Sequence, residues 1–169
     1  MIALADLNLA PADEFVARLA GIFEHSPWVA QRVAAARPFT SRLQLLDAMR
    51  AAVDEATPEE QLSLIRAHPK LGLRGRGRAV LTESSAREQH GAGLEACTPE
   101  DSARLDALNA AYCEKFAIPF ILAVRGHDPA SIIAACERRL RNDWPQEQRA
   151  ALREIGLIAG YRLAEVVHG

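Results

Sequence analysis

Thr98-Pro99-Glu100-Asp101-Ser102-Ala103-Arg104-Leu105-Asp106-Ala107-Leu108-Asn109-Ala110-Ala111-Tyr112-Cys113-Glu114-Lys115-Phe116 carries a complete helix grammar in one stretch. A threonine stands at the cap position, a proline at the first helical position and two acids in the first turn. Leu105, Leu108, Tyr112 and Phe116 then recur at helical spacing and share one face. The same grammar repeats along the chain. Thr57-Pro58-Glu59-Glu60 reads as a capping box, Ser26-Pro27 and Asp128-Pro129 as cap-plus-proline starts, and Thr82 precedes a run of helix formers. Thr40 precedes Leu43, Leu46, Met49 and Val53, and Asn142 or Asp143 before Pro145 opens a last helix bearing Leu152, Ile155, Ala159, Leu163 and Val166. A first helix near residues 11–23 places Phe15, Leu19 and Ile22 together. Composition agrees: 32 Ala and 20 Leu stand against 21 β-branched residues, a balance that favours helix over sheet. The expectation is an all-α fold, a single compact domain over residues 1–169 with about eight helices and a short extended segment at 118–125.

Charge and hydropathy exclude several classes. The net charge is −2 and the pI about 6.2, so no global basic field invites nucleic acid or an anionic membrane. The longest strongly apolar run, Ala117 to Val124, is far short of the roughly 20 residues of a membrane span and contains Pro119. No Lys or Arg precedes Arg18, and Asp6 interrupts the N-terminal stretch, which is unlike a secretory signal. Cys97, Cys113 and Cys136 are far apart and odd in number, which suits reduced thiols in a cytoplasmic protein.

Two stretches break the helical pattern. His68-Pro69-Lys70-Leu71-Gly72-Leu73-Arg74-Gly75-Arg76-Gly77-Arg78 is a loop rich in Gly and Arg. Its arginines could meet an anion or remain a solvated loop, and the lysine and Ser/Thr of a phosphate-binding loop are missing. Ile118-Pro119-Phe120-Ile121-Leu122-Ala123-Val124-Arg125-Gly126 is apolar and extended, so its backbone polar groups need partners, either a ligand or a neighbouring loop. His68 ends one helix and precedes a proline. The helix dipole there biases an imidazole toward its protonated form, which suits either proton transfer or capping. Ser85, Glu88 and Gln89 fall at i, i+3 and i+4 of a predicted helix and share a face fit for a polar heterocycle or simply for water. Glu165-x-x-His168 is half of a di-iron helix pattern, but no second half exists, so no metal is expected. His25 and His127 flank helix starts as capping or solvated groups, and His90 lies beside Gln89.

Taken in order, these signals form a pattern. Phe23-Glu24-x-Ser26-Pro27-Trp28 is followed by His68-Pro69-x-Leu71-Gly72, then Leu81-Thr82-x-x-Ser85-x-x-Glu88-Gln89-x-x-Ala92-Gly93-Leu94. Asn109-x-x-Tyr112-x-x-Lys115-Phe116-x-x-Pro119-Phe120 runs on to Ala123-Val124-Arg125-Gly126, and Glu154-Ile155-x-x-Ile158-Ala159-x-x-Arg162-Leu163 closes the set. The chain thereby resembles, from about residue 5 to 167, the OHCU decarboxylase family. Its members convert 2-oxo-4-hydroxy-4-carboxy-5-ureidoimidazoline to (S)-allantoin in urate breakdown. The chain departs from the family pattern at Ala117, where many members carry Gly, and in its Arg- and Gly-rich loop.

The resemblance implies a carboxy-lyase, an all-helical homodimer without cofactor, acting in the cytoplasm on a small ureidoimidazoline. It implies catalytic roles for His68 and Glu88. It implies substrate contacts from Pro69, from Ser85, Ala86, Arg87 and Gln89 on one helix, from the backbone of Phe120, Ile121, Leu122, Ala123 and Val124, and from Arg162, with Glu24 and Trp28 in the site wall. The competing readings are a non-enzymatic helical adaptor using the Arg-Gly loop at 74–78 and a thiol peroxidase-like protein. The charge balance opposes the first, and the unpaired cysteines oppose the second.

Overall fold

The computed structural model describes residues 1–71 and 97–169. These are mostly helical. In chain order they form β1 (Ile2–Ala3), α1 (Leu4–Leu9), α2 (Ala12–Leu19), α3 (Trp28–Val33), a 3-10 turn (Ala34–Ala36), α4 (Arg42–Asp54) and α5 (Pro58–Ala67). Then come α6 (Pro99–Phe116), α7 (Pro129–Arg139), α8 (Trp144–Val166) and β2 (Val167–His168). The expected all-α class is borne out. The helix expected after Thr82 and the Arg-Gly loop at 74–78 lie outside the described residues. Among the described residues no helix is long and apolar enough to cross a membrane.

The chain forms two compact units: residues 1–67 with 155–169, and residues 68–154. In the first, β1 and β2 pair in parallel, with Ile2 opposite Val167 and Ala3 opposite His168. The sequence pattern shows neither these two-residue strands nor α1. The first long helix ends at Leu19 rather than near residue 23, although Phe15, Leu19 and Ile22 are all buried as expected. Arg37 explains much of the local order: its guanidinium lies 4.7 Å from the Phe15 ring and donates to the carbonyls of Ala10 and Ala34. Gly156 and Gly160, one turn apart on α8, let α4 approach closely. A Cβ on Gly160 would sit 3.2 Å from Leu46 Cδ2, and Arg50 donates to the Gly156 carbonyl at 2.9 Å.

The starts of the helices follow the caps, with two shifts. Thr57 and Glu60 exchange side-chain and backbone hydrogen bonds, the reciprocal box that the sequence announces. At the start of α4 the cap is Ser41, which accepts from the Gln44 amide, while Thr40 donates to the Gln44 side chain. Ser26 does not cap α3. Pro27 takes the cap position, and the carbonyl of the buried Ser26 accepts the Val29 N–H in a tight turn.

In the second unit α6 packs on α7. Thr98 accepts the Asp101 N–H at 3.1 Å, as its position requires. Asp128 and Ser131 form a complete capping box on α7, and Asp143 with Gln146 does the same for α8, which decides between Asn142 and Asp143. Helix α6 ends at Ala117, whose φ of 54° and ψ of 28° place it in the left-handed region. That conformation strains any residue with a Cβ and explains why glycine suits this position. The chain then runs without helix or strand from Ile118 to Val124, every residue of it buried.

Candidate active site

His68 follows the last residue of α5 directly and is only 6% exposed. Leu71, three residues on, is buried too, and its carbonyl accepts the side-chain amide of Asn109 on α6 at 2.7 Å. The segment from His68 to Leu71 is therefore fastened to α6. One turn along the same face, Tyr112 is fully buried and its ring meets that of Phe120 edge-on, 5.2 Å between centroids. Lys115, a further turn on, donates to the carbonyls of Leu140 and Asn142. Asn109, Tyr112 and Lys115 thus make a polar stripe that ties three separate stretches of chain to one helix.

The extended run is held by side chains from both following helices. Arg139, at the end of α7, donates through Nη1 to the Ile121 carbonyl, and its guanidinium lies 5.0 Å from the Phe120 ring. Its Nε and Nη2 donate to Glu147 at 2.9 and 2.5 Å. Glu147 is wholly buried and also accepts from the Tyr112 hydroxyl and, at 2.7 Å, from Asn142. Burial, followed by the hydrogen bond to Glu147, pushes the Tyr112 phenol well above its usual range, so it stays a donor. Such a pair is stable only because its polar atoms are satisfied; removing one partner from a buried pair typically costs about 3–5 kcal/mol. Glu154 of α8 holds the run as well, accepting the Ala123 N–H at 3.0 Å.

The run meets its backbone needs in part from within the protein, as the alternative to a ligand required. Among the described residues, however, several backbone groups of Phe120 to Val124 have no hydrogen-bond partner, the N–H and carbonyl of Leu122 among them. Between two anchored neighbours, Leu122 is left with one donor and one acceptor, the pair that the edge of a cyclic amide or urea complements.

In the first unit Arg162 is 4% exposed and pairs with the buried Glu24 at 2.5 Å. Trp28 stacks with Arg32 at 4.4 Å, and Arg32 pairs with Glu60. Ser85, Ala86, Arg87, Glu88 and Gln89 lie outside the described residues. His25 is exposed with a φ of 47°, and His127 contacts the Ser131 hydroxyl at 3.2 Å. Among the described residues no group of His, Cys, Asp and Glu could hold a metal ion. Burial pushes the Cys136 thiol up to about 11, and burial also raises Cys97.

A sequence profile described as OHCU decarboxylase matches residues 8–164. The chain belongs to the OHCU decarboxylase family. The 2-oxo-4-hydroxy-4-carboxy-5-ureidoimidazoline decarboxylase of Haloferax volcanii is 42% identical over 164 residues, covering 97% of this chain and 95% of that protein. A crystal structure of (S)-allantoin synthase superposes with a TM-score of 0.80 at 28% identity, over 98% of this chain and 54% of that one. A crystal structure of OHCU decarboxylase in the presence of (S)-allantoin superposes with a TM-score of 0.71 over 88% of this chain and 96% of that one; at 20% identity it speaks for the fold.

Within this OHCU decarboxylase fold, the motif residues Asn109, Tyr112, Lys115 and Glu154 acquire physical roles that spacing alone does not reveal. Arg139 and Glu147 carry no sequence signal beyond being charged, in a chain where charged residues make up 25%. Only their burial singles them out.

Proposed function

We propose that this protein decarboxylates 2-oxo-4-hydroxy-4-carboxy-5-ureidoimidazoline to (S)-allantoin, without a cofactor. The observation that carries the reading is the family match over residues 8–164, which includes the His68-Pro69-x-Leu71-Gly72 motif. The reaction breaks the bond between a ring carbon and its carboxylate. Carbon dioxide leaves, and the electron pair flows into the neighbouring conjugated C=N, whose nitrogen takes a proton. The hydroxyl on the carbon that lost carbon dioxide gives up its proton to become a carbonyl, and the adjacent ureido-bearing carbon takes a proton, so that one proton is consumed net. Pyridoxal phosphate or thiamine supplies such an electron sink elsewhere. Here the substrate's own ring does so.

His68 is the proposed catalytic group, hydrogen-bonded to the hydroxyl or carboxylate at the reacting carbon and active in proton transfer. Its burial next to a proline-fixed backbone supports a fixed imidazole. Glu88 orients His68 or a ring group. Pro69, Ser85, Ala86, Arg87, Gln89 and Arg162 are proposed substrate contacts on the family resemblance. Backbone N–H groups of Phe120 to Val124 stabilise charge developing on the ring, and the partnerless N–H of Leu122 supports that role. Proton delivery from one face yields one enantiomer.

We further propose that residues 1–169 work as one functional domain, in a cytoplasmic homodimer. The test of function is direct: substrate freshly generated from urate is followed polarimetrically with and without the protein. Rapid appearance of one allantoin enantiomer supports the assignment, and racemic product at the spontaneous rate refutes it.

A further inference from the structure

We propose that Arg139 and Glu154 are positioning residues that set the two peptide planes around Leu122 and so aim its N–H and carbonyl at the substrate. The proposal rests on the decarboxylase reading above. Its basis is the geometry of the trans peptide, in which carbonyl and N–H point in opposite directions. Both peptides flanking Leu122 are trans. Arg139 holds the Ile121 carbonyl, so the N–H of Leu122, across the same plane, points away from Arg139. Glu154 holds the Ala123 N–H, so the Leu122 carbonyl points away from Glu154. Each side chain fixes one plane, and the two groups left over belong to a single residue.

The two clamps are themselves held. Arg139 is 5% exposed, and Glu147 fixes its fork through two hydrogen bonds, with Tyr112 donating to the same carboxylate oxygen. A lysine could neutralise Glu147 but could not also span to the Ile121 carbonyl with a rigid fork. The Glu154 side chain is 12% exposed and needs only an acceptor oxygen, which glutamine also offers. The chemistry therefore separates the two positions: at 139 the shape of the donor matters, and at 154 the presence of an acceptor.

The experiment compares Arg139→Lys, Tyr112→Phe, Glu154→Ala and Glu154→Gln with the wild-type chain. It reads kcat, KM and Tm, and the amide resonance of Leu122 in 15N-leucine-labelled protein before and after addition of (S)-allantoin. An Ile132→Ala variant in the core of the same unit supplies a destabilised control. Arg139→Lys and Glu154→Ala are expected to lower kcat about tenfold or more, the contribution of a charge-assisted hydrogen bond, with KM within about threefold. Tyr112→Phe, which leaves the ion pair intact, shifts kcat the same way by about two- to threefold. Glu154→Gln restores most of the loss, and Ile132→Ala keeps kcat near wild type despite a comparable loss of Tm. In Arg139→Lys the Leu122 amide resonance moves in the ligand-free protein and no longer responds to allantoin. Equal loss of kcat in Ile132→Ala at matched Tm, or an unmoved Leu122 resonance in Arg139→Lys, overturns the inference. Failure of the wild-type chain to accelerate decarboxylation is a different result: it refutes the functional reading, and the Leu122 resonance still decides whether Arg139 sets the peptide.

Discussion

Asn109 on α6 donates its side-chain amide to the carbonyl of Leu71, 38 residues earlier in the chain, at 2.7 Å. This bond fastens the segment from His68 to Leu71 to α6. Its Oδ1 is buried and has no partner among the described residues, so the amide's orientation serves Leu71 alone. Asn109→Ala leaves the Leu71 carbonyl buried without its donor, a cost of about 1–3 kcal/mol. The expected result is a lower Tm together with a several-fold drop in kcat, as His68 loses its fixed approach. Thermal unfolding and steady-state kinetics on the same preparation check both parts.

Ala117 offers the opposite case, a substitution that should help. An alanine in the left-handed region costs roughly 1–2 kcal/mol relative to its preferred conformations, while glycine there costs little. Glycine also adds freedom to the unfolded chain, which offsets about 0.4–1 kcal/mol. Ala117→Gly is therefore expected to stabilise by about 0.5–1 kcal/mol, seen as a higher urea midpoint with an unchanged slope. A lower midpoint contradicts the strain argument.

The start of α7 links stability to acid. The Ser131 backbone N–H, then the Ser131 hydroxyl, hold the Asp128 carboxyl below its usual value. A depressed carboxyl contributes stability that is fully present above the ordinary aspartate value and is lost as pH falls through the folded value. Tm against pH should thus have an acid limb below about pH 4 to which Asp128 contributes. Asp128→Asn keeps an acceptor but removes the titration, so this variant should show a shallower acid limb. An identical limb would place the acid sensitivity elsewhere.

Cys136 should behave as an inert thiol. Burial raises it to about 11, so the thiolate that alkylating reagents need is scarce at pH 8. The sign of the linkage is the reverse of the aspartate case. The stability held by the neutral thiol is complete below its unfolded value and is lost as pH rises toward 11. Mass spectrometry after native alkylation should find Cys136 unmodified, and denaturant should expose it. Rapid native labelling would revive a thiol-based reading.

Much of the scaffold was legible because its signals are local. Thr57, Thr98 and Asp128 act on residues three positions away, and their caps stand where the sequence puts them. Ser26 and Thr40 carry the same letters but lose the cap to a neighbour, since a one-residue shift in the turn decides which oxygen meets the free amides. The pairing of β1 with β2 joins residues at opposite ends of the chain and leaves no periodic trace in two-residue strands. The candidate site divides the same way. His68 and the 118–124 run announced themselves as breaks in a helical pattern. Arg139, Glu147 and Glu154 look like any surface charge until tertiary contact buries them.

The central claim is that His68 carries a stereospecific decarboxylation. It is tested most directly by polarimetry of allantoin formed from fresh substrate by the wild-type chain and by His68→Asn, with far-ultraviolet dichroism as the fold control. The account predicts rapid accumulation of a single enantiomer with the wild-type chain. With His68→Asn it predicts racemic product at the spontaneous rate and unchanged helicity. Wild-type-like turnover to one enantiomer by His68→Asn would contradict it.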